Sequence, residues 1–212
     1  MKFILADGSS PFSTFFRTED DQPVYRTGVI AKNKLSGGST VEIHKIPLGQ
    51  GAKIKPDQSS GDLWNVKAHE LATFKIRTFH PDEFEVNGQA FTEKQFFTES
   101  GFGWYGSDRI WTGPDGREYR WKMGDSKPEL YLNDEEKTLV AKFHREHSGF
   151  LGINEKCPPS LEVFGGPHPE ALVDMIVITF VYMEKNRADR EEDANAVAKK
   201  GLKSNIKDLA KS

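Results

Sequence analysis

The sequence predicts a mainly β protein in which a closed antiparallel barrel encloses one hydrophobic helix near the C-terminus. Residues 172–183 (LVDMIVITFVYM) form an almost unbroken apolar run. Short segments of alternating apolar and polar residues precede that run, and glycine-containing turn sequences separate them. Many short strands followed by one apolar helix are typical of an antiparallel protein and not of one built from βαβ units.

The apolar run is predicted to be an enclosed helix. It is apolar on nearly every side, so it has no polar face to turn toward water. It is also shorter than the roughly 20 residues that a membrane-spanning helix needs. The core positions that we expect on this helix are Leu172, Met175, Ile176, Ile178, Thr179 and Phe180. Because an unpaired buried carboxylate is unfavourable, we expect Asp174 near the barrel mouth or beside a donor.

A buried strand is the competing interpretation of this run. Residues 176–181 are rich in β-branched side chains, which favour strands. The run is longer than a typical strand, however, and it continues into the charged residues 184–187, which are compatible with a helix. A helix over about residues 170–187 is therefore the preferred prediction.

Strands are predicted wherever alternation puts one face inward and the other in water. The clearest are residues 74–77, 83–86 and 118–122, and the others are residues 1–6, 24–31, 40–46, 129–132, 139–143 and 161–164. Asn87-Gly88 predicts a type I′ hairpin turn, because both residues tolerate positive φ. In Gly113-Pro114-Asp115-Gly116 the proline fixes φ and the last glycine supplies a left-handed position, which predicts a second hairpin.

Composition fits one intracellular domain. The 212 residues are enough for a barrel, which we place at residues 1–187 with a charged tail at residues 188–212. A net charge of -3 gives no basic excess for nucleic-acid binding. The lone Cys157 excludes an internal disulfide and suits a reducing compartment. The apolar start at residues 3–6 is too short for a secretory signal, so we predict a cytoplasmic protein.

Three motifs with possible chemistry are better explained structurally. Residues 101–106 (GFGWYG) match the glycine spacing of a dinucleotide site but lead into a hairpin instead of opening a helix. His144 and His147 lack a nearby third ligand, and Cys157 is flanked by prolines without a base beside it. We therefore predict no cofactor and disfavour catalysis, although a site assembled in space leaves no mark at short spacing.

The tail predicts a basic amphipathic helix. Apolar residues fall on one side of it, and the other side carries Lys199, Lys200, Lys203, Lys207 and Lys211. Such a helix can lie on an anionic membrane or in a partner's groove. A solvated extension is the alternative, because Gly201 costs a helix about 1 kcal/mol relative to alanine and chain ends are commonly disordered.

Several segments resemble an uncharacterised domain family of mushroom-forming fungi. They are Tyr25-Arg26-Thr27, the arm DGREYRWK at residues 115–122, LVAKF at residues 139–143, and residues 172–187. The resemblance spans about residues 25–190, and residues 81–106 depart from it as a candidate insertion. That family is similar to the tubby C-terminal, LURP-one-related and phospholipid scramblase barrels, which implies a closed barrel around a C-terminal helix.

The resemblance implies a binding module with no known activity. Tubby-type barrels bind phosphoinositide headgroups through surface basic residues, but no matching basic motif is present here, and Lys53, Lys55, Arg117, Arg120 and Lys122 are scattered candidates. We therefore expect a non-enzymatic module that contacts anionic lipid headgroups or a protein partner. The alternative is a small-ligand-binding protein or enzyme with a pocket at the barrel mouth, which convergent polar groups would indicate.

Overall fold

Thirteen strands and two helices make up the described part of the chain. The computed structural model describes residues 1–6, 10–32, 38–47, 67–77, 80–101, 107–123, 127–146 and 157–209. The strands are β1 Lys2–Leu5, β2 Thr14–Arg17, β3 Pro23–Lys32, β4 Ser39–Lys45, β5 His69–Ile76, β6 Glu83–Val86, β7 Gln89–Thr92, β8 Thr98–Ser100, β9 Asp108–Thr112, β10 Glu118–Met123, β11 Pro128–Leu132, β12 Leu139–His144 and β13 Ser160–Val163. The helices are α1 Glu93–Phe96 and α2 Glu170–Leu209. The mainly β class with a C-terminal helix is thereby confirmed.

All thirteen strands belong to one antiparallel sheet made of two meanders. Its order is β7-β6-β5-β4-β3-β2-β1-β13-β12-β11-β10-β9-β8. Strands β1–β7 form one meander and β8–β13 the other, and the pairing of Phe3 with Leu161 joins them. The two edge strands, β7 and β8, are therefore neighbours in sequence.

The described sheet is not closed by hydrogen bonds between its edges, so the predicted closed ladder is not observed. The one-turn helix α1 connects the two edges instead. The Phe96 ring of α1 stacks on Phe84 of β6, with ring centroids 5.2 Å apart. The carboxylate of Glu93 in α1 lies 2.9 Å from the guanidinium of Arg109 in β9. Side chains of α1 thus contact strands near both edges.

The sheet curls around the N-terminal half of α2. Thr179 of the helix accepts a 2.9 Å hydrogen bond from the indole nitrogen of Trp121 in β10. The Phe180 ring packs on Phe16 of β2, and the Tyr182 hydroxyl donates to Asp82, just before β6, at 2.8 Å. Because strands from both meanders contact this one helix, the helix forms the centre of the core.

Burial of α2 agrees with a helix apolar on all sides. Leu172, Ile176, Ile178, Thr179 and Phe180 are each 0% exposed. Met175 is only partly buried and packs against the core, which departs from the core position predicted for it. Each buried aliphatic side chain contributes about 1.5–3 kcal/mol to folding.

Charged residues follow the apolar run but remain inside the fold. Glu184, Lys185 and Arg187 are 2%, 6% and 8% exposed. Each has a partner on the same helix: Arg187 donates to Glu184 at 2.8 Å, and Lys185 pairs with Asp189. Burial of these charges is tolerated because each one is paired.

The helix continues well beyond the core. α2 runs unbroken through Gly201 to Leu209, so the tail is helical as far as the structure describes it. The helix interpretation of residues 176–181 is confirmed and the competing strand interpretation is wrong.

The predicted turns form as expected. Asn87 and Gly88 have φ of 50° and 76°, which suits a type I′ turn. Gly116 has φ of 77° and ends the turn after Pro114. The described part of the candidate insertion, residues 81–101, is part of the sheet, because it supplies β6, β7, α1 and β8.

Candidate functional site

A cavity opens beside the first turn of α2. Its volume is about 560 Å³, within the range of small-molecule pockets. Strands β1, β3, β4 and β5 and the segment before α2 surround it. The lining residues are Met1, Phe3, Thr18, Val24, Tyr25, Lys45, Ile46, Pro47, His69, His168, Glu170 and Val173. We call this cavity the mouth pocket.

The walls of the mouth pocket are mainly apolar. Phe3, Val24, Ile46 and Val173 are 2%, 9%, 1% and 5% exposed. These side chains belong to the protein core and turn one side toward the cavity, so their positions are fixed by packing. The pocket therefore presents a preformed apolar surface to a ligand.

A lysine with two carboxylate partners forms the polar side of the pocket. The Lys45 ammonium lies 2.7 Å from both carboxylate oxygens of Asp174 and 2.5 Å from Oε1 of Glu170. The Tyr25 hydroxyl donates to Asp174 at 2.6 Å. The side chains of Lys45 and Asp174 are 12% and 16% exposed, whereas that of Glu170 is 77% exposed. We call these four residues the Lys45 cluster.

Secondary structure explains how the Lys45 cluster assembles. Glu170 and Asp174 are one helical turn apart, so they lie on the same side of α2. Tyr25 pairs with Lys45 across β3 and β4, and Lys45 pairs with His69 across β4 and β5. This cross-strand row ends at the opening of the pocket, opposite the first turn of α2.

The environment sets the charge state of two members of the cluster. Burial, followed by the nearby Asp174 carboxylate, raises the pKa of Tyr25 far above its usual range. Tyr25 is therefore a neutral hydrogen-bond donor. The hydrogen bond from Lys45 and its positive charge lower the pKa of Glu170. Glu170 is consequently ionised at neutral pH.

Two histidines add further hydrogen-bonding groups. The Nε2 atom of His168 is 2.5 Å from the carbonyl oxygen of Phe164. His69 is exposed and lines the mouth pocket. No group of three or more His, Cys, Asp or Glu side chains suited to a metal ion occurs among the described residues. What this site offers is hydrogen bonding and charge next to an apolar cavity.

Sequence reasoning missed the role of Lys45, although a signal was present. Val41, Ile43 and Lys45 occupy alternate positions of β4, so the lysine continues an inward-facing apolar row. A lysine at such a position is unusual unless it is paired. Asp174, expected near the mouth of the enclosure or beside a donor, lies at the pocket with Lys45 and Tyr25 as its donors.

The predicted basic tail is separate from this pocket. Lys199, Lys200, Lys203 and Lys207 lie on the distal part of α2, whose side chains are not described, and Lys211 lies outside the described residues. Lys53 and Lys55 also lie outside them. Of the other scattered basic candidates, Arg117 pairs with Asp115, Arg120 pairs with Asp108, and Lys122 lies over the Tyr131 ring.

The structure describes only parts of the three motifs with possible chemistry. Residues 102–106 of the glycine motif at residues 101–106, and His147, lie outside the described residues. His144 pairs with Glu162 at 2.9 Å, and Cys157 is a free, exposed residue. No described helix is long and apolar enough to cross a membrane.

The fold and the site define a class of protein: a curled antiparallel sheet around a C-terminal helix, with an amphipathic pocket beside the helix start. The chain belongs to DUF6593, a family of unknown function, whose sequence pattern matches residues 9–189. The match includes residues 81–106. No curated protein and no solved structure matched the chain. The predicted membership of an uncharacterised family is confirmed, and the similarity to tubby-type barrels stays a prediction.

Proposed function

We propose that this protein is a binding module that takes a small amphipathic ligand in the mouth pocket. The observation that carries the proposal is the 560 Å³ cavity with apolar walls and the Lys45 cluster on one side. Convergent polar groups beside an apolar cavity are typical of ligand sites. Of the two functions expected from the sequence, small-ligand binding is the one that this geometry favours.

Apolar burial supplies most of the affinity in this proposal. Each square ångström of apolar ligand surface that leaves water contributes about 25 cal/mol. The core side chains that line the cavity hold its shape before binding, which lowers the ordering cost. The Lys45 cluster then orients the polar end of the ligand.

Decanol tests the proposal, because it combines an apolar chain with an uncharged head. We expect calorimetric titration to show saturable binding to the full chain. Val24→Phe fills the pocket and should weaken binding by at least about tenfold. Ile30→Phe on the same strand is the control, since Ile30 is 56% exposed and lies outside the pocket. Absence of binding by decanol and by every decyl amphiphile with a charged head, or unchanged decanol binding by a folded Val24→Phe variant, contradicts the proposal.

We also propose that the curled sheet is a barrel of the tubby, LURP-one-related and scramblase type, as found in mushroom-forming fungi. The support is one C-terminal helix at the centre of an antiparallel sheet whose two edge strands adjoin through α1. The free Cys157 supports a place in the reducing cytoplasm.

A second function is favoured by the continuous helix beyond the core. Because α2 reaches Leu209, Lys199, Lys203 and Lys207 are spaced one turn apart along it. We propose that this basic stretch contacts an anionic membrane surface, to which each lysine contributes about 1 kcal/mol. Co-sedimentation with anionic vesicles should weaken from low to physiological salt. A chain truncated after Arg190 should lose binding but keep its fold, and equal binding by that chain contradicts the proposal.

A further inference from the structure

The two carboxylates that contact Lys45 differ greatly in exposure. Asp174 is 16% exposed and is held by Lys45 and Tyr25, whereas Glu170 is 77% exposed and contacts Lys45 alone within this cluster. An exposed carboxylate gains little from its ion pair, because water solvates it almost as well. Glu170 can therefore leave Lys45 at small cost, while Asp174 stays.

From this difference we propose that Glu170 occupies the position of a ligand's anionic head. In the complex, a carboxylate or phosphate of a single-chain amphiphile replaces Glu170 on the Lys45 ammonium. The chain of the ligand then lies against Phe3, Val24, Ile46 and Val173. This inference rests on the proposed function and names the class of ligand.

Charge and hydrogen bonding favour an anion over other heads. Exchange of Glu170 for a ligand anion leaves Lys45 with the same number of negative partners, so the buried Asp174 keeps its environment. A neutral head accepts a hydrogen bond from the Lys45 ammonium but brings no negative charge, so its contact is weaker than a hydrogen-bonded ion pair. A cationic head is repelled by the Lys45 ammonium. It also gains little from Asp174, because both oxygens of that carboxylate already accept hydrogen bonds from Lys45.

The test compares ligands that have different head groups on an alkyl chain of the same length. The full protein is titrated with decanoate, monodecyl phosphate, decanol and decyltrimethylammonium, each below its micelle concentration. We expect both anions to bind at least about tenfold more tightly than decanol, and the cation to bind most weakly. Vesicles of an anionic two-chain lipid form a further arm, and they should release no more decanoate from the full chain than vesicles of a neutral lipid, which take up decanoate by partition alone.

Two substitutions separate the roles of Lys45 and Glu170. Glu170→Gln removes the competing carboxylate, so it should strengthen decanoate binding severalfold and change decanol binding much less. Lys45→Met should lower the affinity for decanoate to about that for decanol. Lys75→Met is the matched control, because Lys75 is 57% exposed and lies outside the mouth pocket. If Lys45→Met fails to fold, Glu170→Gln still decides the question, since Glu170 is exposed.

The outcomes distinguish this inference from the proposed function. If none of the four amphiphiles binds, the proposed function is wrong and the inference fails with it. If decanol binds as tightly as decanoate and Glu170→Gln changes neither affinity, the pocket is a ligand site but the assignment of an anionic head is wrong. Release of more decanoate by anionic vesicles than by neutral ones also overturns it, because the ligand would then be a membrane lipid.

Discussion

At the scale of residues, Trp121 and Thr179 form a matched polar pair inside the core. The Trp121 indole donates to Thr179 at 2.9 Å, and the Thr179 hydroxyl in turn donates to the carbonyl oxygen of Met175 at 2.8 Å. The polar Thr179 within an apolar run is thus explained by its role as hydrogen-bond acceptor for Trp121 of β10. A buried donor without an acceptor costs about 1–3 kcal/mol.

Thr179→Val should therefore destabilise the protein by about 1–3 kcal/mol, although the two side chains have the same shape. The loss arises because the Trp121 N–H remains buried without a partner. Urea unfolding of the single variants and of Trp121→Phe/Thr179→Val measures the coupling. We expect the double variant to lose less than the sum of the two single variants. Additive losses would show that the hydrogen bond contributes nothing.

Three partly buried side chains, Glu129, Tyr131 and Lys142, make stability depend on pH at both extremes. Lys142 and then Tyr131 hydrogen-bond to Glu129, which lowers the pKa of that carboxyl. Its stabilising effect is present above the usual pKa of glutamate and is lost as the pH falls through the lowered value. The hydrogen bond to Glu129 raises the pKa of Tyr131 to about 12. The corresponding stability is present below the usual tyrosine pKa and is lost as the pH rises through about 12.

Glu129→Gln should remove this dependence. The difference in unfolding free energy between the native chain and the variant should be constant from weakly acidic to neutral pH and should shrink in stronger acid. Ultraviolet titration of tyrosine should also show one ionisation moving to lower pH in the variant. An acid-independent difference would contradict the assignment of the lowered pKa to Glu129.

At the scale of elements, α2 joins two different environments in one helix. Its first part is buried on all sides, and its distal part extends past the core to Leu209. Between these two parts lie three charged residues that are still buried and are paired on the same helix: Glu184, Lys185 and Arg187. The helix therefore forms the centre of the core with its first part and has exposed side chains at residues 190–192, 194 and 195.

Ile178→Asp should prevent folding, since Ile178 is 0% exposed at the centre of the core. An unpaired carboxylate there costs more than about 4 kcal/mol, which is a large share of the stability of a typical domain. Circular dichroism and thermal unfolding measure the effect. Ala194→Asp on the exposed part of the same helix is the control and should unfold like the native chain. Normal thermal stability of Ile178→Asp would contradict the central position of α2.

At the scale of the whole molecule, α1 completes the enclosure that the sheet leaves open. Phe96 stacks on Phe84 with centroids 5.2 Å apart and contacts the Phe97 ring at 4.8 Å. Phe97 in turn stacks on Tyr182 of the central helix at 5.5 Å. The two sheet edges are thus joined through aromatic packing and not through a strand ladder.

Phe96→Ala should loosen this junction and leave the rest of the sheet intact. Hydrogen exchange of backbone amides in β7 and β8 should become about tenfold faster, because local opening there loses its packing. Exchange in β3 and β4, at the centre of one meander, should stay unchanged. Lys94→Ala on the same helix is the control, since Lys94 is exposed. Equal protection in both variants would show that α1 does not hold the edges together.

Local sequence patterns determined the strands, the turns and the helical state of residues 172–183. Each of these depends on neighbours a few positions away: the period of two, the positive φ of Asn87 and Gly88, and the absence of a polar helix face. Strands β2 and β8 and helix α1 escaped prediction. The three consecutive buried residues of β2 show no alternation. Strand β8 has three residues and α1 is a single turn, so neither is long enough to show a period.

The tertiary structure alone decided the curl of the sheet and the mouth pocket. Lys45 and Asp174 are separated by 129 positions, and no local pattern specifies that they meet. Their contact requires the pairing of β1 with β13, which brings the two meanders together around α2. Side-chain periodicity sets which face of a strand is buried, whereas the order of strands and the packing of the helix decide which buried residues share a site.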